Sequence, residues 1–259
     1  MKNHIVIKNT LSPFNKIIEV SGDKSISIRC VLLASQAIGK SRLYNLLESE
    51  DVINALKSIK KLGINYKKNK KFYEIYGYGL NGFNPKKNVT LNAGNSGTLA
   101  RLIMGLLVNS EKQIKIIGDE SLSRRDFSRI TEPLKLFGAN IIAKKNSLPI
   151  KIKGTKFLRP IKYHERLGSA QCKSSVMLAA IKTPGKTIIK AKKSRNHTEL
   201  VFKYLKIPVK SVVKKKLDII EINGPSNFQG FKYRVPGDIS SSSFFLVLAL
   251  LCNNSKIVV

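Results

Sequence analysis

The chain has 259 residues, length for one or two domains with a sizeable core. At 42% hydrophobic and 24% charged it has the composition of a soluble globular protein rather than of any biased class. Its net charge of +31 raises a nucleic-acid partner, but the lysines fall as scattered doublets, Trp is absent and the sparse aromatics do not interleave with them, which argues against a dedicated nucleic-acid surface.

The start, MKNHIVIK, has no secretion-signal apolar core, and the longest apolar run, Phe244 to Cys252, is far short of the roughly 20 residues a membrane span requires. Cys30, Cys172 and Cys252 share no CxxC spacing and sit in apolar runs, so they read as buried thiols. The expectation is a soluble cytoplasmic chain without a metal site.

In chain order, GDKSISIR (22–29) places a lysine, two serines and an arginine directly before the apolar run CVLLASQA. A helix cap needs only one such residue, so the surplus points to an anion at this helix start. VINALKSIKKLGINYKK (52–68) then reads as helix, turn and strand, and FYEIYG (72–77) as a strand closing at Gly77. LNAGNSGTLAR opens a second apolar helix behind Asn95, Ser96, Gly97 and Thr98, where Gly94 and Gly97 let backbone approach a ligand. GDESLSRR (118–125) ends in an arginine pair ahead of a helix near Phe127, and guanidinium forks suit carboxylate and phosphate. FSRITEPLKLFGANIIAKK (127–145) and LPIKIKG repeat the helix, strand, strand plan, closing at Gly154. Ser169, Ala170 and Gln171 open the third apolar helix, SAQCKSSVMLAAI. SRNHTE (194–199) reads as a capping-box start for HTELVFKYLK, with Ser194 and Arg195 as phosphate contacts and His197 as a structural helix-end residue. LDIIEING closes at Gly224, and GDIS (237–240) echoes GDKS before a fourth apolar helix, SSSFFLVLALL.

The closing glycines are 77 and 70 residues apart, and Ser25, Ser96, Ser169 and Ser240 recur at 71, 73 and 71. The repeat predicts an α/β (α+β) fold of three βαβαββ units with a fourth just begun. A last unit that stops one helix in, on SKIVV, predicts that the domain does not end at Val259. Each helix start alone is a modest anion site; several aimed at one cleft would make a strong one.

GDKSISIR, LNAGNSGTLAR, GDESLSRR, SAQCKS, SRNHTE and VPGDISSSSFF together, in order and spacing, resemble the 5-enolpyruvylshikimate-3-phosphate synthase family. The resemblance implies transfer of the enolpyruvyl group of phosphoenolpyruvate to the 5-hydroxyl of shikimate 3-phosphate, with no metal or organic cofactor. It implies two domains, each of three βαβαββ units in pseudo-threefold array, in a protein that is a monomer when full length. Residues 21–235 would form one complete domain; residues 1–20 and 236–259 would belong to the other, incomplete one. By the same resemblance Lys24 touches both substrates and is catalytic, stabilising charge at the reacting carbon. Ser25, Arg29, Ser169, Ala170, Gln171, Ser194 and Arg195 hold shikimate 3-phosphate, with Arg29 on its carboxylate. Gly97, Arg125 and Gln171 join Lys24 on the phosphoenolpyruvate side.

Three positions depart from the family pattern: Ile28 replaces a histidine, Asn196 an aspartate and Asp126 a proline. Asp126 stands where it would partly neutralise Arg125. The family's general base, general acid and further cationic clamps belong to segments beyond Val259, so the expectation is an N-terminal portion, inactive alone. The alternatives are a UDP-sugar enolpyruvyl transferase of the same fold, or a basic nucleic-acid-binding fragment.

Overall fold

The computed structural model describes residues 12–259. The MKNHIVIK start, and with it half of the 1–20 segment assigned to a separate domain, lies outside the described residues.

The chain runs β1 (Asn15–Ile17), α1 (Lys24–Ala34), β2 (Ile38–Tyr44), α2 (Glu50–Lys61), β3 (Asn65–Lys68) and β4 (Phe72–Tyr78). It continues through β5 (Val89–Asn92), α3 (Gly97–Leu106), β6 (Ile114–Ile117), α4 (Glu120–Ser123), α5 (Ser128–Leu136), β7 (Asn140–Ala143) and β8 (Ile150–Lys153). The last third is β9 (Lys162–Glu165), α6 (Ala170–Ala180), β10 (Gly185–Lys192), α7 (His197–Tyr204), β11 (Val209–Val213), β12 (Leu217–Gly224), β13 (Lys232–Arg234), α8 (Ile239–Leu251) and β14 (Lys256–Val258).

Three four-stranded sheets share one plan, ordered β13-β2-β4-β3, β5-β6-β8-β7 and β9-β10-β12-β11. In each, the first pair is parallel and the other two are antiparallel. The second and third units are continuous in sequence. The first takes its parallel strand, β13, from about 190 residues downstream, pairing Lys232 with Arg42 and Arg234 with Tyr44. β1 pairs with β14 in a small sheet of their own.

Helix character follows the apolar pattern. In α1, every residue from Ser27 to Ala34 is buried, and α3 and α6 are buried almost throughout. Such helices belong in an interior, and these three form the centre. α2 instead buries Val52, Ala55, Leu56 and Ile59 along one stripe and turns Lys57, Lys60 and Lys61 outward. The strands alternate likewise: in β8, Ile150 and Ile152 face the core while Lys151 and Lys153 face solvent. The surplus positive charge is therefore carried in part by the outer faces of the sheets. α8 departs from the pattern by exposing Phe244, Leu250 and Leu251.

The repeated closing glycines have one cause. A Cβ on Gly77 would lie 2.3 Å from Ala37 O, one on Gly154 2.4 Å from Val108 O, and one on Gly224 2.3 Å from Ala180 O. In each unit the last strand crosses the C-terminal turn of the central helix backbone to backbone, and only glycine leaves room.

The GDKS and GDIS echo is also a contact. Gly22 and Gly237 form an antiparallel bridge, Asp23 N–H donates to Pro236 O at 2.8 Å, and Asp238 N–H donates to Ser21 O at 2.9 Å. Asp23 and Asp238 then cap α1 and α8 through the Ile26 and Ser240 amides, at 2.7 and 2.8 Å.

Candidate active site

The N-terminal halves of the three central helices meet, as their side-chain ties show. Arg29 of α1 donates through Nη2 to Ser174 Oγ of α6 at 3.0 Å. Ser175 Oγ of α6 donates to the Arg101 carbonyl of α3 at 2.8 Å. All four residues lie roughly one and a half turns into their helices, so the N-terminal ends of α1, α3 and α6 lie at one end of the bundle. Parallel packed dipoles repel, and an anion at their positive ends offsets that repulsion.

At the α3 start, Ser96 caps the helix by accepting from the Leu99 amide. Arg101, one turn beyond Gly97, folds back over the start: a Cβ on Gly97 would lie 2.6 Å from Arg101 Nη1 and 3.2 Å from Arg125 Nη1. Arg101 Nη1 donates to Gln171 Oε1 at 2.7 Å, and Gln171 Nε2 donates to Thr98 Oγ1 at 2.8 Å. Gly97, Arg125 and Gln171, three of the four residues expected on one substrate, therefore gather around Arg101. Burial, and then the nearby charges of Arg125 and Arg129, push the Arg101 guanidinium below the ordinary arginine value, while Cys172 and Asp126 oppose the shift.

Arg125 is carried by the loop after α4, a short helix not foreseen in GDESLSRR. Asp119 caps α4 through the Leu122 amide at 2.7 Å and accepts from Asn95 Nδ2 at 2.6 Å, which locks this loop to the GNSGT loop. Asp126, expected to neutralise Arg125 in part, makes its hydrogen bonds elsewhere. The Asp126 carboxylate accepts from the Ser128 amide and from Ser128 Oγ, both at 2.7 Å, and so caps the start of α5.

At the α6 start, Ser169 accepts from the Cys172 amide, and Ala170 and Gln171 form the first turn. The preceding loop is held by Glu165, whose carboxylate accepts from the Leu167, Gly168 and Ser169 amides at 3.1, 2.6 and 3.0 Å. The orphan Ala170 and Gln171 N–H groups remain at the open end of the helix.

Lys24 opens α1. Its Nζ lies 3.7 Å from Asp51 in the first turn of α2, and its own N–H donates to Asp238. Neighbouring Glu50 packs beside Gly94, so the acidic start of α2 links the Lys24 end of α1 to the GNSGT loop.

Arg29 is buried and largely committed within the fold. Nε donates to Thr198 Oγ1 at 2.8 Å, Nη1 to the Ser25 carbonyl at 2.9 Å and Nη2 to Ser174. Burial pushes it down to about 10, against the attraction of Glu199. Two of its five N–H groups stay unused. These bonds dock the SRNHTE segment on α1. Among the described residues, Ser194 Oγ and His197 Nδ1 are buried without a hydrogen-bond partner. Burial and the Arg29 charge hold the His197 imidazole below its usual range.

The capping-box reading of SRNHTE is not what forms. Asn196 makes no side-chain cap, and Glu199 instead pairs with the wholly buried Lys173, Nζ to Oε1 at 2.6 Å. A buried ammonium demands a carboxylate more strongly than an exposed helix end does.

Sequence reading missed Arg101, Thr198, Ser174, Glu165 and the Lys173–Glu199 pair. Arg101 alone left a signal, standing four residues after Gly97 and so on the same helix face.

Comparison with known proteins bears directly on this arrangement. A sequence model of the family described as EPSP synthase (3-phosphoshikimate 1-carboxyvinyltransferase) matches residues 8–259. A 3-phosphoshikimate 1-carboxyvinyltransferase of Streptococcus mutans serotype c is 37% identical, the match covering 97% of this chain and 58% of the relative. One from Caldicellulosiruptor saccharolyticus is 39% identical, covering 93% and 56%. A solved EPSP synthase from Acinetobacter baumannii superposes with a TM-score of 0.85 at 32% identity, over 95% of this chain and 55% of that one. The chain thus spans a little over half the length of the curated relatives it matches.

Proposed function

The chain belongs to the EPSP synthase family, and from that premise we propose that it contributes the shikimate 3-phosphate and phosphoenolpyruvate contacts of a 3-phosphoshikimate 1-carboxyvinyltransferase. The reaction moves the enolpyruvyl group to the 5-hydroxyl of shikimate 3-phosphate and releases phosphate. The observation that carries this reading is the pair of guanidinium groups, Arg101 and Arg125, closing on the bare backbone of Gly97 at a helix start. Two cations and a helix N-terminus with no side chain between them suit a small, highly charged anion.

In this reading phosphoenolpyruvate lies over Gly97 against Arg125, Gln171 and Lys24. Shikimate 3-phosphate lies across the α6 start, its phosphate on Ser169, Ala170, Gln171, Ser194 and Arg195, its ring beside Ser25 and its carboxylate on the two unused N–H groups of Arg29. The unpartnered Ser194 hydroxyl supports the phosphate assignment. Lys24, whose only ion pair among the described residues is a long one to Asp51, supplies the positive charge at the reacting carbon. Bringing two anions together costs mutual repulsion, and the convergent helix ends offset it before chemistry begins.

We further assign residues 21–235 to one domain of three units and residues 1–20 and 236–259 to another. The closed first sheet supports this, since its last strand ends at Arg234, and so does the separate β1–β14 sheet.

Calorimetric titration tests the site. Shikimate 3-phosphate should bind the chain, and phosphoenolpyruvate should bind more tightly once it is present. Arg125→Ala should weaken the second step at least tenfold and leave the first within about twofold. Equal loss in both steps, or in neither, refutes the assignment.

A further inference from the structure

We propose that Lys182 is a covalent capture site for small uncharged aldehydes, reached through the cavity at the C-terminal ends of the central helices. It is separate from the site above. Lys182 follows the last turn of α6, about 18 Å along the helix direction from its start.

The side chain is turned into the protein and is only 6% exposed. Its Nζ donates to the Leu80 carbonyl and, at 2.9 Å, to Asn109 Oδ1; Asn109 is itself fixed by donating to Asn81 Oδ1 at 2.7 Å. The Phe83 ring centroid lies 5.3 Å from the nitrogen. Lys182 is among the residues lining a cavity of about 660 Å³, whose walls also include Leu80, Phe83, Leu158, Pro184 and Pro225. The other charged groups lining it are Glu111, Lys112 and Lys156, and Glu111 is taken by Lys156 at 2.8 Å. Among the described residues, no carboxylate lies within ion-pair distance of Lys182.

A neutral amine has two N–H bonds and one lone pair. Here two protein acceptors claim one N–H each, so the lone pair is left for the remaining direction. Burial with no counter-charge favours that neutral form and pulls the ammonium down to about 7; a single aromatic face is a weak substitute for a carboxylate. Desolvated lysines of this kind act as nucleophiles toward carbonyl groups. A purely structural lysine, capping carbonyls at the negative ends of the helices, would instead stay protonated and inert.

The step balances without a further reactant. The lone pair attacks the aldehyde carbon, the carbonyl electron pair moves to oxygen, and a proton passes from nitrogen to that oxygen to give a carbinolamine. The hydroxyl then leaves as water and the nitrogen sheds its remaining proton, so one amine and one aldehyde become one imine and one water. The lining is mixed, with Asn81, Asn84, Thr155 and Asn227 among its polar members, but the Phe83 ring beside the amine offers an apolar rest for the short carbon chain of a small aldehyde.

The test labels the folded chain at pH 7 with limiting propionaldehyde and cyanoborohydride, and reads each lysine by peptide mass spectrometry. Lys182 should be alkylated at least tenfold faster than the exposed Lys86, Lys153 and Lys210, and the advantage should vanish in denaturant. Its rate should level off above about pH 8 while theirs climb toward pH 10. A smaller ratio in the folded chain, a ratio that survives unfolding, or a pH profile parallel to the surface lysines overturns the proposal. No variant is needed, so a folding defect cannot obscure the result.

Discussion

Gln171 accepts from the Arg101 guanidinium at 2.7 Å and donates to Thr98 at 2.8 Å, so one side-chain amide closes a ring between the starts of α3 and α6. The orientation is chemically forced, because a guanidinium can only donate. The same amide is the residue assigned to both substrates, so its structural and binding roles need separating.

Gln171→Ala removes both bonds and should lower stability by about 1–2 kcal/mol. Gln171→Glu keeps an acceptor for Arg101, and should hold stability within about 1 kcal/mol while placing a negative charge where a phosphate is proposed to sit. Urea unfolding should therefore rank Ala below Glu, and calorimetry should find shikimate 3-phosphate binding weakened at least tenfold in both. Full binding by the Glu variant would remove Gln171 from the site.

Gly97→Ala tests the guanidinium gap. The added methyl meets the ends of two flexible side chains rather than backbone, so Arg101 and Arg125 can swing aside. Helix propensity favours alanine here, and stability should change by less than about 1 kcal/mol. Phosphoenolpyruvate binding should nonetheless fall several-fold, since the methyl occupies the anion's place. Unchanged binding would show that no ligand approaches this backbone.

Much of this arrangement is legible in the amino-acid sequence. α1 starts inside GDKSISIR and runs into the apolar stretch CVLLASQA, as the change from polar to apolar residues there predicts, with Asp23 capping its first turn. The seventy-residue spacing found the three sheets, and its glycines marked a backbone crossing that tolerates no side chain. The source of the first sheet's fourth strand was not legible, since KYR at 232–234 has no pattern linking it to Arg42. The partners of Arg29 were hidden for the same reason: Arg29 and Thr198 are 169 residues apart in sequence. Spacing within a helix reports which residues share a face, whereas contacts between units depend on how units dock.

The closing glycines should be among the least replaceable residues of the fold. Gly224→Ala would put a methyl 2.3 Å from the Ala180 carbonyl and 2.4 Å from that of Thr183, and neither backbone can yield without shifting the end of α6. A loss of roughly 3 kcal/mol or more is expected, at the severe end for single substitutions. Gly39→Ala is the control. It meets no atom within 4 Å and carries only the strain of its φ of +89°, so about 1–2 kcal/mol is expected. Thermal or urea unfolding of the two variants should differ clearly; similar losses would mean that steric crowding is not what fixes Gly224.

The buried Lys173–Glu199 pair carries no ligand contact in this reading, and its contribution is conformational. Glu199→Gln leaves an ammonium uncompensated in the interior and should cost about 3–5 kcal/mol. The double variant Lys173→Met, Glu199→Leu should recover most of that loss, because it removes both charges together. If the double variant is as unstable as the single one, Glu199 acts chiefly through the neighbouring Arg29 instead.

Lys182 also predicts how stability responds to pH. Its ammonium is lowered from 10.5 to about 7 in the folded chain, so between those values the unfolded chain binds more protons than the folded one. Stability then rises with pH from about 7 toward 10, and below 7, where both states are protonated, the contribution is flat. Two pH units within that window correspond to roughly 2–3 kcal/mol at most. Lys182→Met removes the titration while leaving the Leu80 and Asn109 acceptors without their donor, which lowers stability by a pH-independent amount. Urea unfolding at pH 7 and pH 9 should therefore show the wild-type chain gaining on the variant as pH rises, by about 2 kcal/mol. The many exposed lysines shift both proteins alike and cancel in the difference. If the two proteins keep a constant separation across the range, the Lys182 amine is charged in the folded state.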